Sequence, residues 1–312
     1  MRHLPASSLH SGRSEAGFSL VELMVAVTIG LLIVAAMLAN LQASSASTRT
    51  TSRVAEYQTN GRYAIDFMRR ELQHTGYAGV SWINLTDLGA TGTTDYGCGA
   101  GFAANIAQPI FGSNDTNPYS ASCIPSDNYA RGDILVLRRA GLDLIPTTAA
   151  LSANTLYFRS EYVRGSVYLG PTRPASLQTP VEDHLLETDV YYISKWTNSA
   201  TESPQVPALY RLTLGAGPAM TAQLIASGIE NMQVQYGITT AAGTRFYDAS
   251  AVPDWTSIVA IRIWLLARST TLEPDYTNTS TYTIGDQSIT VNDGYQRQVF
   301  PLVVRLRNNT TN

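Results

Sequence analysis

One carboxylate inside an apolar run is the most conspicuous chemical group in this sequence. Residues Phe18 to Leu41 read FSLVELMVAVTIGLLIVAAMLANL, 24 positions that are apolar except for Ser19, Glu22, Thr28 and Asn40. A charged side chain on a membrane helix costs on the order of 3 kcal/mol at the bilayer centre and less near an interface. Glu22 therefore either snorkels to the headgroups or serves a function that involves a partner. The second chemical feature is a pair of cysteines, Cys98 and Cys123, both in Gly/Ser/Asn-rich sequence. Their spacing matches no metal motif, and two thiols alone make a poor zinc site. In an exported head they can pair and close a loop of about 25 residues, worth roughly 3 kcal/mol; otherwise they are two unrelated free thiols.

Catalytic groups are scarce. His3 and His10 precede the apolar run, His74 falls at the end of a helical pattern, and His184 stands beside Asp183 in what reads as a solvated loop. No HExxH, GxSxG, CxxC or Walker A pattern occurs. The run Gly97-Cys98-Gly99-Ala100-Gly101 is rich in glycine but lacks the strand–turn–helix setting of a phosphate loop. Two oxygen-rich loops invite a test for calcium: Asn114, Asp115 and Asn117, and Asp286, Asn292 and Asp293. Neither follows the EF-hand spacing, and turn formation accounts for Asn and Asp equally well. The sequence thus names no catalytic, cofactor-binding or metal-binding residue, and the chain reads as a non-enzyme without cofactors. The 17 tyrosines fit strand faces without a sugar-binding role.

Charge adds an exclusion. Charged residues make up 14% of the 312 and the net charge is −3 at pH 7, against roughly 25% charged in an average soluble protein. Lys195 is the one lysine, and the arginines are scattered apart from the pairs Arg69–Arg70 and Arg138–Arg139. A broad nucleic-acid-binding face is disfavoured. The abundance of Ser, Thr, Asn and Gly suits an exported surface.

Several elements must position these groups. The apolar run would form about 36 Å of helix, enough to span a bilayer. It is too long for the core of a secretory signal, and no clear A-x-A site follows it, so it is built to be kept. Arg2 and Arg13, partly offset by Glu15, precede it; Arg49, Arg53 and Arg62 follow, against a simple positive-inside count, but the near flank Leu41 to Thr48 carries no charge, and a cytoplasmic N-terminus is expected. Beyond it, Val54, Tyr57, Gly61, Ala64 or Ile65, Met68 and Leu72 recur at three- and four-residue steps, an amphipathic stripe. Gly76 is a plausible C′ stop, and no proline falls between Phe18 and Tyr77. One helix of about 57 residues, roughly 85 Å, is predicted to end at Thr75, with Gly30 and the Ser/Thr-rich stretch 44–52 as soft points.

After residue 76 the period changes. Residues 76–130 are turn-rich, and strands are predicted at Asp133–Arg138, Thr155–Arg159, Ser166–Leu169, Thr188–Ser194, Leu209–Leu214 and Met232–Gly237. The clearest strands are Ser257–Ser269, with Val259, Ile261, Ile263 and Leu265 facing one way, and Gln298–Arg307, where Pro301 suggests an edge or a strand start. One buried sheet face against the helix is the economical arrangement.

Gly17-Phe18-Ser19-Leu20-Val21-Glu22-Leu23-Met24 resembles the class III signal of type IV prepilins and type II secretion pseudopilins. The tail stretches LIASGIENMQVQY (224–236), VAIRIWLLARS (259–269) and DGYQRQVFPLVVRLRN (293–308) resemble the minor pilin PilW family, which is related to the J-type minor pseudopilins. The resemblance implies an α+β, type IV pilin-like fold: a long N-terminal helix, transmembrane in its first half, packed on an antiparallel β-sheet head with a large loop-rich insertion. It divides the chain into a leader (1–17), a transmembrane half-helix (18–41), an amphipathic half-helix (42–75) and a periplasmic or extracellular head (76–312). A prepilin peptidase would cut between Gly17 and Phe18 and methylate the Phe18 amine. Glu22 would then meet a neighbouring subunit's amine during assembly, the two charges removing one another's desolvation cost in one axial register. The implied role is a structural minor pilin that primes assembly and sits at or near the filament tip. The implied partners are other minor pilins, the major pilin, a tip adhesin and the inner-membrane assembly platform. The implied location is the inner membrane before assembly and the pilus after it. A J-type pseudopilin of type II secretion shares signal and fold, and a membrane-tethered enzyme or tip lectin is the reading from another class.

Overall fold

A stripe of apolar side chains at helical spacing organises the head. The computed structural model describes residues 17–81, 85–87, 98–99, 101–215 and 219–308, and the chain divides into two compact units between Thr51 and Ser52. Helix α1 runs from Leu20 to His74, 55 residues without a break. The expected soft stretch stays helical, with its side chains bonded back onto the preceding turn. The hydroxyls of Thr48 and Thr51 donate to the carbonyls of Ser44 and Ser47 at 2.9 Å. The buried positions of α1 are Tyr57, Gly61, Ala64, Ile65, Met68 and Leu72, the stripe read from the sequence. Gly76 follows with φ +75°, and its N–H donates to the Arg138 carbonyl at 3.1 Å, which ends the helix in the left-handed conformation glycine favours.

The rest of the head is β-rich. An eight-stranded sheet contains β1 (Leu85–Asp87), β2 (Ile110–Ser113), β3 (Ile134–Ala140), β4 (Leu156–Glu161), β5 (Arg164–Leu169), β6 (Val181–Ser194), β7 (Ala208–Leu214) and β8 (Met220–Ser227). Its order is β1-β5-β4-β6-β3-β2, with β7 also on β6 and β8 on β7. The β1–β5 pair is parallel and the others are antiparallel. A second sheet runs in the order β10-β9-β11-β14, from β9 (Ile229–Thr240), β10 (Gly243–Asp248), β11 (Ile258–Arg268) and β14 (Arg297–Arg305). A hairpin of β12 (Thr281–Ile284) and β13 (Gln287–Thr290) completes the set. Every strand predicted from the sequence is present, so the α+β class holds.

Two details depart from the expected pattern. The α1 stripe meets both sheets instead of one face: Leu135, Tyr191 and Leu209 of the first and Met232, Ile263 and Leu302 of the second share its core. Within β11 the register slips against β9 between Ile258 and Ala260. This irregularity puts Ile258 in the core in place of Val259, which is only half-buried. Pro301 lies on an edge strand as expected. Leu306 N–H donates to Val259 C=O and Ser269 N–H to Gln296 C=O, so the even-numbered residues of β14 face β11. Pro301 therefore turns its missing donor outward, where no ladder bond is lost.

Two contacts hold the parts together. A Cβ built on Gly61 would lie 2.3 Å from the Phe300 ring, so glycine lets α1 approach β14 closely. Asp133, just before β3, staples the two sheets: its carboxylate accepts Val234 N–H of β9 at 2.7 Å and Asp115 N–H at 3.0 Å. Burial outweighs these donors and pushes the Asp133 carboxyl up to about 7; burial likewise pushes Asp189, beside Arg211, up to about 6.

Gly61→Ala should destabilise the head by about 1–3 kcal/mol in chemical denaturation, since overpacking here outweighs the better helix propensity of alanine. Adding Phe300→Leu to Gly61→Ala should recover part of that loss. The raised carboxyls set a pH dependence. The folded head holds their protons to higher pH than the unfolded chain does. Their contribution is therefore fully present below about pH 4 and is lost as pH rises through about 6 to 7. Denaturation between pH 8 and pH 5 should show the head gaining on the order of 4 kcal/mol on acidification, and Asp133→Asn should flatten most of that slope.

Candidate functional site

The N-terminal end of α1 collects the groups singled out by chemistry. Ser19 is the residue before the first helical position, and Leu23 N–H donates to its carbonyl at 3.1 Å. Glu22 turns back so that its Oε2 accepts Ser19 N–H at 3.3 Å. This is the carboxylate half of a capping box, in which a side chain three residues into the helix satisfies an otherwise unpaired N–H. The negative group also sits at the positive end of the helix dipole. Snorkelling and intermolecular pairing were the two roles read for Glu22 from the sequence; the capping contact is a third. Its signal, Ser followed three residues later by Glu before an apolar run, was legible there.

Around this cap nothing else is covered. Phe18 is 87% exposed, and the large apolar side chains from Leu20 to Leu41 are all exposed. Of the helices in the described residues, α1 is long and apolar enough to cross a membrane. Gly17 and Phe18 lie outside the helix, in irregular chain. A Cβ on Gly17 would meet no atom within 4 Å. Packing within this chain therefore does not require glycine at that position.

In the head, Cys98 and Cys123 form a disulfide with their Cα atoms 4.9 Å apart. The bridge packs beside Tyr119, Ile124 and Val136. Arg138 anchors the same loop by donating to the Phe102 and Gln108 carbonyls at 2.9 and 2.8 Å. Burial lowers the Arg138 guanidinium to about 10. Its sequence neighbour Arg139 instead pairs with Glu187 at 2.6 Å and with Glu71 of α1 at 3.1 Å. This arginine pair is structural, each member fixing a different element.

The two oxygen-rich loops come together. Asn114 Nδ2 donates to Asp286 Oδ2 at 2.9 Å, and the Asp115 carboxylate accepts from Gln233 and Gln287. Asn117 closes a turn onto Tyr119 N–H, and Asp293 is held by Arg297. Asp115, Asn117, Asp286 and Asp293 already accept protein donors, whereas Asn114 Oδ1 is buried without a partner; among the described residues no group of three His, Cys, Asp or Glu is arranged to hold a metal ion. His184 corrects the sequence reading. It belongs to β6 and is buried, with its ring edge-on to Tyr77 and Nε2 3.3 Å from Glu182, rather than in a solvated loop. A polar residue on a two-sided buried strand carries no alternation signal that would have revealed this.

Residues 190–308 match the family described as Type IV Pilus-assembly protein W, PilW. Residues 12–38 match the Prokaryotic N-terminal methylation motif. No curated protein and no solved structure matches the chain. The two matches bracket the groups described above: one covers Gly17, Phe18 and Glu22, the other the second sheet with β14.

Proposed function

We propose that this chain is a type IV minor pilin of the PilW family that primes pilus assembly and enters the filament at or near its tip, supporting adhesion and motility. The observation that carries the reading is the pairing of an N-terminal methylation motif with an apolar half-helix whose large side chains are exposed among the described residues. Such a surface is stable only in lipid or against other helices. Before assembly it anchors the subunit in the inner membrane with the head in the periplasm; after assembly it packs against other pilins. A prepilin peptidase cuts between Gly17 and Phe18. The open space around Gly17 in this chain points to an enzyme pocket as the source of the glycine requirement. The match over 190–308 favours the pilus over a type II secretion system as the setting.

Glu22 acts in two stages. In the single subunit its carboxylate caps the helix through Ser19 N–H. On assembly it pairs with the methylated Phe18 amine of a neighbour. That pairing selects one axial register, because a charge left unpaired in an apolar filament core costs several kcal/mol.

The mature N-terminus should be N-methyl-Phe18 by mass analysis, and Gly17→Val should leave unprocessed protein in the membrane. An intact leader on mature subunits, or a cut after Leu41, would sink the processing scheme. For Glu22 the cap and the charge are separable. Glu22→Gln keeps an acceptor for Ser19 N–H but carries no charge, whereas Glu22→Ala has neither. Both variants should be cleaved and inserted yet be depleted by tenfold or more from sheared pili, in a strain lacking the wild-type copy; about 3–5 kcal/mol is at stake when a buried pair loses one partner. Normal incorporation of Glu22→Gln alone would mean that capping, not charge, is what assembly needs.

A further inference from the structure

The open edge of β14 is prepared to receive another strand. Because the even-numbered residues of β14 bond to β11, the N–H and C=O groups of Val303 and Arg305 point away from the sheet. The first part of that edge is closed by Pro301, which has no donor. From Val303 to the end of the strand at Arg305, no described strand pairs with it. A cleft of about 450 Å³ runs beside it, lined by Val303, Arg305 and Arg307 on one side and by Arg69 and Gln73 of α1 on the other. The side chains of Val303, Arg305 and Arg307 are exposed, Val303 at 58%.

The charged residues that line this cleft are all of one sign. Arg53, Arg139, Arg159, Arg173, Arg211 and Arg297 each pair with a carboxylate. Arg69, Arg305 and Arg307 make no ion pair among the described residues. Asp66, one turn before Arg69 on the helix, does not pair with it either. Three guanidinia thus stand unneutralised around an unpaired strand edge. Charged residues on an edge also discourage one edge from joining its own copy. Here they leave like edges repelled and an acidic strand attracted, so one set of charges both guards the edge and selects what joins it.

We propose that the outer edge of β14 from Val303, with the residues that follow it to Arg307, is a docking site for an extended, carboxylate-bearing segment of a neighbouring filament subunit. That segment adds to the second sheet as a fifth strand. Main-chain hydrogen bonds from Val303 and Arg305 supply the pairing, and Arg69, Arg305 and Arg307 read the acidic side chains. The strand geometry favours a polypeptide over a nucleic acid, whose phosphates would use the arginines but not the alternating backbone groups. The source of the segment rests on the pilin reading; the chemistry of the edge does not.

Two measurements test this separately. In the first, full-length protein in detergent is titrated with a fluorescein-labelled peptide of alternating Glu and Thr and, in parallel, with a labelled single-stranded oligonucleotide. The peptide should bind saturably, and Arg305→Glu with Arg307→Glu should weaken it tenfold or more. Arg62→Glu, on the same helix but away from the cleft, should have little effect. Val303→Pro removes an outward donor without touching the β14–β11 ladder, and should weaken peptide binding with unfolding unchanged. No peptide binding, binding indifferent to Val303→Pro, or binding of the oligonucleotide alone would each overturn strand addition. In the second, a benzophenone amino acid at position 303 is illuminated in piliated cells, where crosslinks to another pilus subunit should form and vanish with Arg305→Glu and Arg307→Glu. Peptide binding in detergent without such crosslinks would overturn the assigned source while leaving the pilin reading to its own Glu22 test.

Discussion

The seam between the second half of α1 and the two sheets is the contact on which the head depends. Met68 and Leu72 are fully buried there, and the Gly61–Phe300 approach sets how closely the helix can lie to β14. Both sheets use the same stripe as part of their core, so neither would keep its buried face without it. Asp133 then ties the sheets directly, from the start of β3 to the backbone of β9. A lost contact at the seam is felt in both sheets because close-packed interiors transmit strain instead of absorbing it.

The first half of the same helix obeys the opposite rule. Its large apolar side chains from Phe18 to Leu41 are exposed among the described residues, a surface suited to lipid or to other helices. Placing Glu22 at the third helical position reconciles a carboxylate with that setting. The charge lies at the helix end, where an unpaired N–H and the dipole both favour it. It is therefore held in a defined place before any partner arrives, which lowers the ordering cost of meeting one.

The polar groups of the head sort by partner. Arg138 and Arg139, adjacent in sequence, point to different tasks, one holding loop carbonyls and the other bridging β6 to α1. In the oxygen-rich loops, Asn117 closes a turn and Asp115 accepts from two side-chain amides.

Much was legible in the sequence because it is local. The apolar run, the helical stripe through Leu72, the Gly76 stop and the main strands follow from periodicity and backbone preference over a few neighbouring residues. The N-terminal methylation motif could be read the same way, as could the capping pair Ser19–Glu22. Tertiary structure decided what depends on distant partners. The exchange of Val259 for Ile258 in the core comes from a register slip against β9, which no pattern within β11 specifies. The burial of His184, the meeting of the Asn114 and Asp286 loops, and the division of the helix stripe between two sheets all bring together residues far apart in the chain. Which edge of β14 is open follows from strand order alone. Sequence period names the face of a strand but not its neighbour, because side chains alternate with the pleat while strand pairing is chosen by the whole fold.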